Sequence, residues 1–241
     1  MPSVASDPLQ VLQERVVACR LCPRLVTYRE KVAREKRRMY RGWDYWGKPI
    51  PSFGDPEARL LILGLAPAAH GGNRTGRMFT GDRSGDFLYR ALYEAGFANQ
   101  PMSRDRDDGL RLRDCYITAA LRCCPPKNKP LPEELRNCQP YLELELALLS
   151  RVRAVLALGR IAFDTYLRLV YAGRAEGAAH GLPPRSSFRF AHGASYALPG
   201  GLPRLFASYH PSQQNTQTGK LTPAMMRRVF RDIRRYLERQ T

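Results

Sequence analysis

Hydrophobic residues in this 241-residue chain recur with two different spacings. Short continuous apolar runs lie at residues 60–63, 115–121, 152–158 and 205–209. Runs of that length bounded by turn residues read as buried strands. Between them the apolar positions spread to a spacing of three and four, the signature of a helix face. Such patterns cover residues 7–36, interrupted by Pro23, then 86–95, 132–149, 161–171 and 223–238. Gly96 is a natural stop for the second, and Pro132, Glu133 and Glu134 open the third with a proline and two acids in its first turn. Residues 43–49 form an aromatic, proline-bearing loop, 99–108 a polar loop and 122–130 an irregular link. Residues 173–203, rich in Gly, Pro, Ser and His, take no assignment. Strands separated by helices of these lengths imply right-handed βαβ crossovers and a mainly parallel sheet covered on both faces. No repeat or low-complexity tail divides the chain, so a single domain over residues 1–241 is expected.

The longest link between a strand and a helix is residues 64–86. It contains Gly64, Gly71, Gly72, Gly76, Gly81 and Gly85, with His70, Arg74, Arg77, Phe79, Asp82 and Asp86 among them. Glycines let backbone approach a ligand closely, and ligands of open α/β sheets bind beyond the carboxyl ends of the strands. By itself such a stretch reads equally well as a solvated loop. The density of arginine, aromatic and carboxylate groups is what makes it a site candidate.

Charge narrows the ligand. The 39 Lys and Arg residues against 22 Asp and Glu give a net charge of +17, a field that attracts polyanions and nucleic acid before others. No run of 18 apolar residues exists, so no transmembrane helix is expected. The first twenty residues lack the apolar core of a secretory signal, which points to the cytoplasm.

Six cysteines in such a chain argue for metal or catalysis rather than disulfides. Cys19 and Cys22 form a C-x2-C pair, and fourteen residues separate Cys123 from Cys138. Four thiolates from two distant pairs can close a zinc site or hold an iron–sulfur cluster, and spacing does not choose between them. The plainer reading makes Cys123 and Cys138 small buried hydrophobes. Cys115 reads as core, and Cys124 is the weaker ligand candidate.

The strings GLAPAAHGGNRTGRMFTGD, RCCPPKNKPLPEELRNC and SYHPSQQNTQTG together resemble the family 5 uracil-DNA glycosylases over nearly the whole chain. The resemblance implies a three-layer α/β/α sandwich around a four-stranded, mainly parallel sheet. It implies a 4Fe–4S cluster on Cys19, Cys22, Cys123 and Cys138, in a structural role that would tie the N-terminal helical segment to a distant loop. Asn128 matches a family position implicated in catalysis, although asparagine in a proline-rich loop is ordinarily a turn residue.

An enzyme acting on a base within a duplex must extrude the nucleotide, stack the base and read its edge. Phe79 is the expected stacking platform. His210, at the end of the fourth strand, can donate a hydrogen bond to a base oxygen and stabilise the departing anion. Asp82 is the expected activator of water, or stabiliser of the sugar cation, with Asp86 the runner-up. Gly64, Ala68 and Ala119 would line the base. Related families keep a polar or acidic residue in the first motif and an asparagine after the second strand. Here Leu65, Ala66, Ala68 and Ala119 stand instead. A pocket without side-chain readers selects weakly, so uracil, hypoxanthine and other deaminated bases are expected substrates.

Arg74, Arg77, Ser212, Gln213, Gln214 and Asn215 are the expected DNA contacts. Arg227, Arg228, Arg231, Arg234 and Arg235 form either a phosphate-facing stripe or a solvated face. Double-stranded and single-stranded DNA are the expected partners of a monomer. No lysine stands out as a Schiff-base nucleophile, so hydrolysis leaving an abasic site is expected, without strand cleavage. The competing reading is a non-catalytic, metal-stapled nucleic-acid-binding module, which leaves Phe79, Asp82 and His210 without a role.

Overall fold

The computed structural model describes residues 7–172 and 181–240. The first eight residues of the segment without an assignment, 173–180, lie outside them. The expected N-terminal helix is two helices, α1 (Pro8–Ala18) and α2 (Pro23–Glu35). Asp7 caps α1 through Leu9 N at 3.0 Å, and Pro23 starts α2 at a position where a missing N–H costs nothing. The extended link between them holds Cys19 and Cys22.

Strand β1 (Phe53–Gly54) precedes β2 (Leu60–Gly64), a short turn α3 (Gly72–Thr75) and α4 (Arg83–Glu94). Then follow β3 (Cys115–Ala119), α5 (Pro132–Leu148), β4 (Ala154–Leu158), α6 (Arg160–Ala172), β5 (Ser195–Tyr196), β6 (Arg204–Ser208), α7 (Gln213–Gln217) and α8 (Pro223–Glu238).

The sheet has six strands in the order β1-β3-β2-β4-β6-β5. The four strands legible in the sequence are its centre and run parallel, with Leu60 beside both Cys115 and Ala154, and Ala154 beside Arg204. The expected count of four is therefore corrected. Two-residue strands flank the centre at both edges and run antiparallel. A two-residue strand has no periodicity to read, yet its shortness suits an edge, where a long open ladder would recruit other chains.

Every residue of β2, β3 and β4 is buried, as a sheet covered on both faces requires. Successive side chains alternate. Leu60, Ile62, Ile117, Leu156 and Phe206 pack under α4 and α8 with Leu88, Leu92, Phe230 and Ile233. Leu61, Leu63, Val155, Ala157 and Leu205 pack on the opposite face with Leu142, Phe163 and Tyr166 from α5 and α6. Three layers result.

The amino ends of the strands are latched shut. Arg59 pairs with Asp114 at 2.7 Å and donates to Leu237 O at 3.2 Å, while Arg234 donates to Ala95 O and lies 3.5 Å over the Phe97 ring. Arg227 pairs with Glu94 at 3.5 Å. The arginines of α8 are thus not a uniform phosphate-facing stripe; two of the five hold the helix to the body.

Candidate active site

Beyond the carboxyl ends of the four central strands lies a cleft of about 660 Å³, a size typical of ligand pockets. Residues 64–86 wind around it. Its lining brings together Gly64, Ala68, Phe79, Asp82, Ala119, Asn128, His210, Ser212, Gln213 and Gln214. These come from four separate segments of the chain.

Phe79 adopts φ +50°, a left-handed backbone that costs a residue with a side chain about 1–3 kcal/mol. The surroundings enforce it. A β-carbon on Gly64 would stand 3.0 Å from the ring atoms Cε2 and Cζ of Phe79, so the bare end of β2 admits the ring. The His210 ring lies 5.7 Å away at 31°, forming a second aromatic wall. Burial pushes the His210 imidazole down to about 4, so it is neutral at physiological pH. Its backbone is held by Asn215, whose Nδ2 donates to His210 O at 2.8 Å.

Asp82 is the N-cap of α4, and its Oδ1 accepts from Gly85 N at 2.9 Å. The helix therefore begins before the expected Asp86. Burial raises the Asp82 carboxyl above its ordinary range, against the opposing pull of the Gly85 and Ser84 amides and of Arg74. A carboxylate so placed is more basic than a solvated one. Asp86 sits a turn further on, exposed and outside the cleft lining. Asn128 follows Lys127, both with left-handed backbones near +56° (φ 57 and 55), on a turn closed by Asn128 N to Pro125 O at 3.1 Å.

Two expected phosphate contacts are corrected. Arg74 and Arg77 are each 3% exposed. Arg74 donates to His70 O and Gly81 O at 2.9 and 2.7 Å, with its guanidinium against the mutually perpendicular Tyr40 and Trp43 rings at 4.0 and 4.1 Å. Arg77 donates to Ser103 Oγ and pairs with Asp108, both at 2.7 Å. Arg74 thus satisfies buried carbonyls of its own loop, and Arg77 ties that loop to the 99–108 segment. Asn215 likewise serves the loop, and Ser212 caps α7 through Asn215 N at 3.4 Å; Gln213 and Gln214 are exposed at the cleft mouth.

Tyr28, Tyr40 and Lys127 also line the cleft with no role assigned from sequence, as do His70, placed there only as part of the glycine-rich stretch, and Arg37, from the basic run 34–38 that reads as solvated surface or phosphate contact. The signal available was the histidine within the glycine-rich stretch and the aromatics interleaved with basic residues at 36–46.

Cys22, Cys123 and Cys138 share one contact cluster with Leu25 and Leu121. Cys19 is near enough to act electrostatically on Cys123. Arg29 Nη1 donates to Cys123 Sγ at 2.9 Å, and Asn137 Nδ2 to Cys22 Sγ at 3.5 Å. Burial raises the Cys123 thiol to about 11 and Cys138 to about 12. N–H donors aimed at sulfur suit thiolate ligands in kind. The four are not drawn into a tight set, and among the described residues no three His, Cys, Asp or Glu side chains are grouped to hold a metal ion.

A family model described as the uracil DNA glycosylase superfamily matches residues 51–234. The chain belongs to that superfamily. A type-5 uracil-DNA glycosylase of Thermus thermophilus is 54% identical over 222 residues, 92% of this chain and 95% of the relative. A type-5 uracil-DNA glycosylase of Mycobacterium leprae is 49% identical over 236 residues, 98% of each, and one of Pyrobaculum aerophilum 46% identical over 217 residues, 90% and 88%. The resemblance read from the motifs is thereby borne out. In this member of the uracil-DNA glycosylase superfamily, the matched region contains every cleft residue from Gly64 to Gln214 and the second cysteine pair, and begins after Cys19 and Cys22.

Proposed function

We propose that this chain is a DNA-repair glycosylase that hydrolyses the N-glycosidic bond of uracil and other deaminated bases. The observation that carries the reading is the meeting of Phe79, Asp82 and His210 in one cleft whose strand-end floor is Gly64 and Ala119. The extruded base stacks on Phe79. His210, neutral, donates a hydrogen bond to a base oxygen as charge develops there. Asp82, made more basic by burial, takes the proton of a water. The C1′–N bond breaks with its electron pair leaving on the base, and the water oxygen bonds to C1′, leaving an abasic site. Asn128 at the opposite lip orients the water or the sugar. No lysine is assigned a covalent role.

Ala68 and Ala119 present no hydrogen-bonding side chain to the base edge, so discrimination rests on shape and on His210. This supports acceptance of hypoxanthine beside uracil. The excess of 17 positive charges supports duplex and single-stranded DNA as substrates of a monomer working where DNA is, in the cytoplasm. Among the described residues no helix is long and apolar enough to cross a membrane.

Cys19, Cys22, Cys123 and Cys138 would hold a 4Fe–4S cluster, with zinc as the other candidate. Such a group would cross-link the link between α1 and α2 to the start of α5. Arg29 and Asn137 would donate to its sulfurs. Iron, sulfide and zinc analysis of the purified protein decides between the two.

The activity is tested with duplexes containing one deoxyuridine or one deoxyinosine, incubated with enzyme and then treated with alkali. Scission of both is expected, lost in folded Asp82→Asn and His210→Ala proteins. Scission unchanged in both variants refutes the roles. Scission of the uracil strand alone refutes the broad specificity. No scission by the wild type, with DNA still bound, leaves the non-catalytic module.

A further inference from the structure

One lip of the cleft is built from parts that the glycosidic chemistry does not use. His70 lines it, with Nδ1 3.0 Å from the Tyr45 hydroxyl. With Nδ1 engaged by the Tyr45 hydroxyl, Nε2 is the ring nitrogen left for the cleft. Burial and the charges of Arg37 and Arg74 hold the ring in its neutral form. Arg37 itself is exposed at this lip.

The lip is rigid. Trp46 N donates to Arg74 O at 3.0 Å and Gly47 N to Asn73 O at 3.1 Å, while Asn73 Nδ2 donates to Arg29 O at 3.1 Å, pinning the 36–47 segment and α2 to the glycine-rich loop. Arg74 adds charge. Its guanidinium lies against the Tyr40 and Trp43 rings, it is bonded only to carbonyls, and its buried Nη1 has no hydrogen-bond partner. The lip thus offers the exposed Arg37 guanidinium and the His70 ring nitrogen that Tyr45 leaves free, with the buried Arg74 cation behind them. Its complement is an anion.

We propose that Arg37 and His70, keyed by Tyr45, form a phosphodiester subsite that grips the backbone beside the extruded nucleotide. The proposal rests on the glycosylase reading, because a backbone phosphate lies next to any flipped base. Gripping it helps hold the nucleotide extruded, a positioning role distinct from the chemistry at Asp82.

The test measures KM and kcat for a uracil-containing duplex, and affinity for an undamaged duplex, over a series of salt concentrations. The proteins are wild type, Arg37→Gln, His70→Ala, Tyr45→Phe and, as a control for bulk charge, Arg38→Gln. Each phosphate neutralised contributes about 0.9 to the slope of log affinity against log salt on duplex DNA. Arg37→Gln is expected to raise KM and flatten the slope by about that amount, with kcat kept within a few-fold. Arg38→Gln should flatten it less. His70→Ala is expected to raise KM about tenfold with the slope unchanged, since a neutral donor releases no counterion. Tyr45→Phe should shift KM in the same direction by less, because the ring remains and only its hydroxyl partner is lost. Equal slopes and affinities for Arg37→Gln and Arg38→Gln, or a His70→Ala loss confined to kcat, would overturn the subsite. A wild type that releases no uracil fails the glycosylase reading instead, and the undamaged-duplex arm still tests the lip.

Discussion

The carboxylate of Asp82 rests directly on the backbone of Gly71. A β-carbon at Gly71 would come within 2.2 Å of Oδ2, a distance no pair of real atoms tolerates. The glycine-rich loop and the first turn of α4 are therefore fitted to one another, and the carboxylate is positioned by what Gly71 lacks.

Gly71→Ala should push Asp82 out of its place without unfolding the chain. A misplaced general base loses much of the 10²–10⁴-fold such a group supplies, so a fall in single-turnover rate of at least tenfold is expected. Unchanged circular dichroism beside that loss is the supporting result. An unchanged rate would mean that Asp82 does not act from this position.

Asp82→Asn separates stability from activity. Asparagine caps a helix as well as aspartate does, and it removes a carboxylate whose ionised form burial disfavours. A carboxyl raised in the folded state makes the native protein relatively less stable once pH exceeds that raised value. The variant should therefore melt at the same or a higher temperature than wild type at neutral pH, with the pH-dependent part of the difference vanishing well below the unfolded value of about 3.9, where the carboxyl is protonated in both states. Thermal melts at about pH 3 and pH 7 check the sign.

His210 should leave a mark on acid stability. Its folded value near 4 lies below the unfolded value of 6.5, so between those two the unfolded chain binds a proton that the native state refuses. Stability then rises with pH across that window and is level above it, a contribution on the order of 3 kcal/mol. His210→Ala should flatten the pH dependence of urea unfolding between pH 4 and 6.5 relative to wild type. Parallel curves would mean that the imidazole titrates normally.

Glu145 stands at the centre of a buried polar network. It accepts from Gln13 Nε2 at 2.7 Å and Thr118 Oγ1 at 2.6 Å, and it pairs with Arg122, itself 1% exposed. Replacing one partner of a buried pair strands the other charge. Glu145→Leu should cost about 3–5 kcal/mol in denaturant unfolding. The double variant with Arg122→Met should recover part of it.

Residues 60–63 and 205–208 announce themselves as strands because a strand covered on both faces must be apolar throughout, and that is a local property. The helix at Pro223–Glu238 was legible to the residue from its apolar stripe. Arg74 was not. An arginine that lies against Tyr40 and Trp43 is written with the same letter as one that meets phosphate, and its partners lie more than thirty residues earlier. The edge strands at Phe53 and Ser195 escaped for a different reason: they exist only because β3 and β6 offer free edges to pair with.

What the sequence by itself determined was whatever repeats or concentrates locally: four core strands, the helices between them, a positive field, and the motifs that carry the family resemblance. What only the tertiary structure decided was which polar groups face the cleft and which face inward. Phe79, Asp82 and His210 converge because parallel strands deliver distant loops to one end of a sheet. Arg74 turns away from it to serve the loop's own buried carbonyls, and Arg77 to pair with Ser103 and Asp108. Desolvation and hydrogen-bond satisfaction depend on neighbours brought together by the fold, and no local pattern records them.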